Sequence, residues 1–284
     1  MARKQATMTE RKNKMNIMVF DTETVNLEKP FCYNIGYVIY NTETGESIIK
    51  KDYVVEQVWH NPMLFTTAYY ADKRELYVNR MRARQATLDK FGYITQAMYR
   101  DIREHEVQHA FAYNSDFDER VFTFNCDWFK CINPFDSVQI HDIRGHVHRK
   151  IAFTSSYQQF CDDHGYYTES GNYSTTAEDV YRYIVGDTDF IEEHTALADS
   201  EIELEILLHC TDLGADLTTD YKVYRTVPKT QLKDFLVIDS EGTTHSFQYT
   251  TKRKIPHVDG VRLTIKRDEE AVDWPLPLFL RGFV

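Results

Sequence analysis

Three short stretches of this sequence set carboxylates where the local chain can aim them. Asp21 and Glu23 stand two residues apart in Phe20-Asp21-Thr22-Glu23-Thr24, which follows the apolar run Ile17-Met18-Val19-Phe20. Residues two apart on a strand face the same side of the sheet. Two acids on one face repel unless a cation lies between them. The competing reading is a strand end that frays into solvated turn residues. The second stretch, Ala112-Tyr113-Asn114-Ser115-Asp116-Phe117-Asp118, runs from a strand into acids that open a helix. First helical turns favour Asp without any function, so Asp116 and Asp118 by themselves are open between cap and ligand. Phe117 would pack inward, and Asn114 could fasten the strand end by hydrogen bonds. In the third, His194 precedes Asp199 by five residues in His194-Thr195-Ala196-Leu197-Ala198-Asp199. An isolated pair of this kind is more often a surface cap than a site.

The elements that must position these residues are legible as hydrophobic patterns. Ile17–Phe20, Ile35–Tyr40 and Ser47–Val55 read as strands of an antiparallel meander, with a turn at Asn41–Gly45 between the last two. Residues 61–106 read as a long, polar, mostly helical insertion. Ala110–Tyr113 and Ser137–Ile143 return to strand, and Phe117–Phe129 reads as an aromatic helix between them. Thr175 and Thr176, each followed three residues on by an acid, announce a helix that Gly186 ends. His194–His209 carries the apolar stripe Leu197, Ile202, Ile206, Leu207, with Glu201, Glu203 and Glu205 mostly off it. Past Leu213 the chain turns β-rich and ends in the non-helical Trp274-Pro275-Leu276-Pro277. Three meander strands followed by alternating strands and helices describe an α/β domain with a mixed sheet. The expected division is a mobile basic tail at 1–15, a main domain at 16–212 and a small β-rich appendage at 213–284.

The 284 residues are enough to bury a substantial core. A formal charge of −11 weighs against holding nucleic acid by bulk electrostatics. It weighs less against a carboxylate site whose cations meet the phosphate. Five scattered cysteines without a CxxC pair point away from a disulfide framework or zinc module and fit a reducing, cytoplasmic setting. No stretch approaches the ~18–20 apolar residues of a membrane span, so no membrane partner is expected.

Together the three stretches resemble the DEDDh exonucleases, also called the ribonuclease T-like or replicase-proofreading superfamily. The D-x-E motif is matched by Asp21 and Glu23, N-x-x-F-D by Asn114 and Asp118, and H-x-A-L-x-D by His194 and Asp199. The match makes Asp118, rather than Asp116, the ligand. It covers roughly Asn16 to His209, and its scale is similar to that of phage-encoded members, which would place it in a host cytoplasm. Tyr183-x-x-x-Asp187 fits the third motif of the sister class that uses tyrosine. His194 and Asp199 are preferred because Ala196 and Leu197 match as well.

The resemblance implies a ribonuclease H-like mixed sheet flanked by helices, with the helical insertion and β-rich appendage as additions. It implies that Asp21, Glu23, Asp118 and Asp199 bind two Mg²⁺ or Mn²⁺ ions and that His194 is the general base of phosphodiester hydrolysis. Thr22 and Thr24 would touch the terminal nucleotide through their backbone. The substrate would be a single-stranded 3′ end, DNA favoured. An RNA-trimming exoribonuclease and an inactive nucleic-acid-binding module are the alternatives. Arg80, Arg82 and Arg84 belong to a segment, Tyr69 to Tyr93, in which six cations oppose three acids among aromatics. That composition suits a single strand, or equally a helical hairpin with solvated arginines. Thr251-Lys252-Arg253-Lys254 is a weaker second contact. A polymerase or replication partner and a homodimer are left open.

Overall fold

The computed structural model describes residues 15–66, 68 and 71–229, together with the backbone of four strands farther on. The basic N-terminal stretch 1–14, Tyr69, Tyr70 and Thr251-Lys252-Arg253-Lys254 lie outside the described residues. The chain forms two compact units, Met1–Val227 and Pro228–Val284.

Three antiparallel strands begin the first unit: β1 (Asn16–Thr24), β2 (Cys32–Asn41) and β3 (Glu46–Val55). The short helices α1 (Glu56–Trp59) and α2 (Pro62–Phe65), a 3-10 turn (Ala71–Lys73) and α3 (Arg74–Arg82) lead to β4 (Thr87–Asp89). Helix α4 (Phe91–Glu104) crosses to β5 (His109–Ala112), and α5 (Ser115–Phe129) crosses to β6 (Gln139–Asp142). Then come α6 (Ile143–Val147), a π-helical turn (His148–Ala152), α7 (Ser155–His164), α8 (Ala177–Val185) and α9 (Ala196–Asp212). The sheet order is β4-β3-β2-β1-β5-β6, with β5 and β6 parallel to β1. This is the mixed-sheet α/β architecture expected from the sequence.

Strand alternation divides the core. Met18 and Phe20 of β1 pack in the cluster holding Ile94, Met98 and Ile102 of α4 and Val121 and Phe122 of α5. Ile17 and Val19 join the cluster of Ile202, Ile206 and Leu207 of α9 on the other face. All four β1 side chains are fully buried. The strand does not stop at Phe20: it continues through Thr24, so the two acids keep their place on the pleat. Helix α8 begins and ends on the expected signals: the Thr176 hydroxyl accepts from the Asp179 N–H at 3.3 Å, and Gly186 turns left-handed at φ +71°.

Several details differ from the sequence reading. The segment 61–106 is not an all-helical addition, because β4 adds to the sheet parallel to β3 and α4 covers one sheet face. Residues 213–227 fold with the first unit, where Leu217 and Val227 are buried beside α9. In the second unit β7 (Leu232–Ile238), β8 (Thr244–Thr250), β9 (Arg262–Arg267) and β10 (Glu270–Pro275) form one sheet in the order β10-β9-β7-β8. Trp274 and Pro275 therefore end a strand rather than form a tail.

Candidate active site

Asp21 and Glu23 fall on the α9 face of β1 by parity with Ile17 and Val19. The residue paired with Asp21 on β2 is Gly36. A Cβ on Gly36 would overlap the backbone at Ala196–Leu197. The bare strand thus lets the start of α9 lie directly on the sheet beside Asp21. Asn34, the β2 partner of Glu23, completes the seat. Its side-chain oxygen accepts from the Ala196 N–H at 2.8 Å, taking one of the helix's unpaired N-terminal donors. Ser200 donates to the Gly36 carbonyl at 3.2 Å.

This seating brings Asp199 to the two strand acids. Carboxylate oxygens of Asp21, Glu23 and Asp199 lie within 4.8 Å of one another. Asp118 enters from the opposite face: Thr22, pointing away from Asp21, donates its hydroxyl to Asp118 at 2.6 Å. Asp118 opens α5 behind Asn114, whose left-handed backbone (φ +65°) turns the chain from β5, and the Asn114 N–H donates to Asp142 at 3.0 Å. His194 has φ +53° and lies beside Asp199, its Nδ1 3.5 Å from a Glu192 carboxylate oxygen.

The electrostatics are those of acids lacking a counter-charge. Burial first, and then the Glu192 charge, push the Asp21 carboxyl above the usual range. Burial and neighbouring acids, Asp21 foremost, do the same to Glu23, Asp118 and Asp199. One Asp199 oxygen is buried without a hydrogen-bond partner. An orphaned, buried, acceptor-only atom among crowded acids fits a hard divalent cation held by oxygen ligands. His194 moves the other way: burial and the nearby Lys73 ammonium hold its imidazole below the ordinary value.

Three members of this cluster carried no signal in the motifs. Glu192, pushed up to about 7 by burial and Glu178, approaches Asp199 and His194. Lys73 draws Glu23, Glu192 and Asp199 downward and donates to the Glu193 carbonyl. Glu203 is buried, and its oxygen accepts from the Tyr113 N–H at 3.2 Å. Glu203 stands one helical turn after Asp199 and so shares its face, the one clue that spacing could have supplied. The sequence reading placed Glu203 with Glu201 and Glu205 mostly off the apolar stripe; the structure buries it.

Other expected residues are engaged in contacts of their own. The Thr24 hydroxyl bonds the Asn26 carbonyl at 3.3 Å. Arg80 is engaged by Asp52 at 3.0 Å and Glu193 at 2.7 Å, whereas Arg82 and Arg84 are exposed. Tyr183 donates to Ser156 at 2.9 Å, and Asp187 is exposed and caps the Asp189 N–H, so this rival pair is engaged outside the cluster.

No protein-family model matches the chain, and no curated protein matches it. Solved structures with similar architecture include E. coli Exonuclease I in complex with a dA16 oligonucleotide, 13% identical with a TM-score of 0.44 over 88% of this chain and 55% of that one. This chain thus spans about half the length of the E. coli protein. The nuclease domain of 3′hExo, a DEDDh family member bound to rAMP, is 14% identical with a TM-score of 0.48, covering 76% of this chain and 98% of that one. A 3′-exonuclease described with the histone mRNA stem-loop is 11% identical with a TM-score of 0.48 over 82% and 91% of the two chains. Among the described residues no helix is long and apolar enough to cross a membrane.

Proposed function

We propose that this protein is a metal-dependent 3′–5′ exonuclease that releases nucleoside 5′-monophosphates from single-stranded ends, with DNA preferred. The observation that carries this reading is the convergence of Asp21, Glu23 and Asp199 within 4.8 Å, with Asp118 tied in through Thr22 and His194 beside Asp199. Asp21, Glu23, Asp118 and Asp199 would hold two Mg²⁺ or Mn²⁺ ions. Bound there, the cations supply positive charge to the phosphate and to the leaving 3′-oxygen. The remaining work falls to the chain. His194, kept neutral by burial and Lys73, accepts the proton of the attacking water as its oxygen bonds to phosphorus. The P–O3′ bond breaks, leaving a 5′-monophosphate and a chain shorter by one nucleotide. Thr22 fixes Asp118, and the Gly36–Asn34 seat fixes Asp199.

The test uses 5′-labelled single-stranded DNA and RNA of matched sequence with Mg²⁺ or Mn²⁺. A 3′-end ladder that disappears with EDTA and in Asp21→Ala supports the reading, and the faster substrate decides between DNA and RNA. Tight binding without cleavage of either would replace it with a nucleic-acid-binding module.

A further inference from the structure

The residue proposed as general base occupies an unfavourable backbone conformation: His194 has φ +53°, a left-handed geometry in which an L side chain is strained. Such a conformation persists only where the surroundings enforce it. The two residues flanking it are both held by one side chain. Arg80 reaches the Glu193 carboxylate at 2.7 Å and donates to the Thr195 hydroxyl at 3.1 Å. The Thr195 hydroxyl in turn donates to Glu193 at 3.0 Å, closing a ring around the base of His194. The guanidinium is anchored from behind by Asp52 at 3.0 Å, a carboxylate whose side chain is 1% exposed and which Asn34 holds at 2.6 Å. Arg80 itself is only 19% exposed. Lys73 adds a second tie by donating to the Glu193 carbonyl.

We propose that Arg80 is a positioning residue for His194: its guanidinium, fixed on Asp52, clasps Glu193 and Thr195 and so holds the histidine between them toward the carboxylate cluster. A planar fork presents donors to these three partners in fixed directions, whereas an ammonium offers three short donors from one flexible point. The role assigned to His194 rests on the exonuclease reading, whereas the clasp itself does not. The proposal also replaces the expectation that Arg80 grips a substrate phosphate.

The experiment compares wild type with Arg80→Ala and Arg80→Lys. A second variant, Glu193→Ala, opens the clasp without leaving Asp52 buried and unpaired. Steady-state cleavage of a single-stranded oligonucleotide is measured across a salt series, and amide hydrogen exchange is followed at Glu193, His194 and Thr195 in the metal-free protein. The expected result is a fall in kcat of about 10- to 100-fold for both Arg80 variants, the cost of misplacing a reacting group by about 1 Å, and a smaller fall for Glu193→Ala. KM and its salt dependence stay unchanged, exchange at the three amides accelerates, and millimolar guanidinium partly restores kcat in Arg80→Ala alone. A raised KM with kcat intact and a salt slope reduced by about one would make Arg80 a phosphate contact and overturn the proposal. Unchanged exchange in all three variants would overturn it as well. If the wild type cleaves nothing, the exonuclease reading fails, and the exchange measurement still decides whether Arg80 holds the loop.

Discussion

At the scale of single residues, the crowding of buried acids costs the metal-free protein stability. Burial and mutual repulsion raise the Asp21, Glu23 and Asp199 carboxyls together, so in the metal-free protein these acids hold protons and ionising any of them costs stability. Removing one of the repelling charges relieves the others. Asp21→Asn is therefore expected to raise metal-free stability by about 1 kcal/mol while abolishing cleavage. Mn²⁺ is expected to raise the wild-type Tm, and Asp21→Asn should erase that rise. Thermal melts in EDTA and in Mn²⁺ check both signs, and a destabilised Asp21→Asn in EDTA would mean that the crowding is not repulsive. Glu203 makes the complementary case. Its carboxyl is pushed well above the ordinary range, by burial first and then by the Asp21 and Asp118 charges, and it accepts from the Tyr113 N–H. Glu203→Gln keeps both shape and acceptor and is expected to preserve activity. Glu203→Ala leaves the Tyr113 N–H without its acceptor and should destabilise by about 2 kcal/mol, read as a shift in the denaturation midpoint.

Between elements, the site depends on how closely α9 approaches the sheet, and that distance is set by one missing side chain. Gly36→Ala would force the Ala196–Leu197 backbone off β2 and carry Asp199 away from Asp21. The expected cost is about 3 kcal/mol, with metal affinity lost in parallel; Gly92→Ala, where a Cβ meets only Cys131 at 3.4 Å, is the control expected to be near neutral. Calorimetric Mn²⁺ titration of the two variants separates them, and unimpaired binding in Gly36→Ala would refute the seating argument. This dependence also explains what could be read from the sequence. Strand β1, the Thr176 and Gly186 ends of α8 and the stripe of α9 are written in local periodicity and capping chemistry. Strand β4 is three residues without alternation, defined only by its distant pairing with β3, and no local pattern announces it. Helix α4 carries a clear stripe at Ile94, Met98 and Ile102, but only the fold reveals that the stripe covers the sheet rather than an added hairpin. In the candidate site, strand spacing puts Asp21 and Glu23 on one face, while the resemblance singles out Asp118, His194 and Asp199. Glu192 and Lys73 join through tertiary approach, for which the motifs hold no signal, and Arg80, singled out for its cationic neighbourhood, is engaged by acids instead.

For the whole molecule, two groups of buried side chains titrate with opposite consequences. His141 and His148 are held down to about 4 by burial, and His109 and His146 are also lowered. Unfolded histidines take up protons near ~6.5, so between there and about 4 the unfolded chain binds more protons than the native one. Stability from this group is present above ~6.5 and is lost as pH falls. The site acids run in the opposite sense. Their raised native values mean that the folded metal-free protein holds protons which the unfolded chain has released, so their contribution weakens as pH rises above the ordinary carboxylate range. In EDTA the two slopes oppose, and Tm is expected to vary little between pH ~4 and ~6.5. A bound divalent cation displaces the carboxyl protons and removes the acids' share of the slope, leaving that of the histidines. With saturating Mn²⁺, Tm should therefore climb steadily across the same window, and the gap between the two curves should widen with pH. Parallel curves in EDTA and Mn²⁺ would show that the cation does not bind at the raised carboxylates, and would remove the metal site from Asp21, Glu23 and Asp199 altogether.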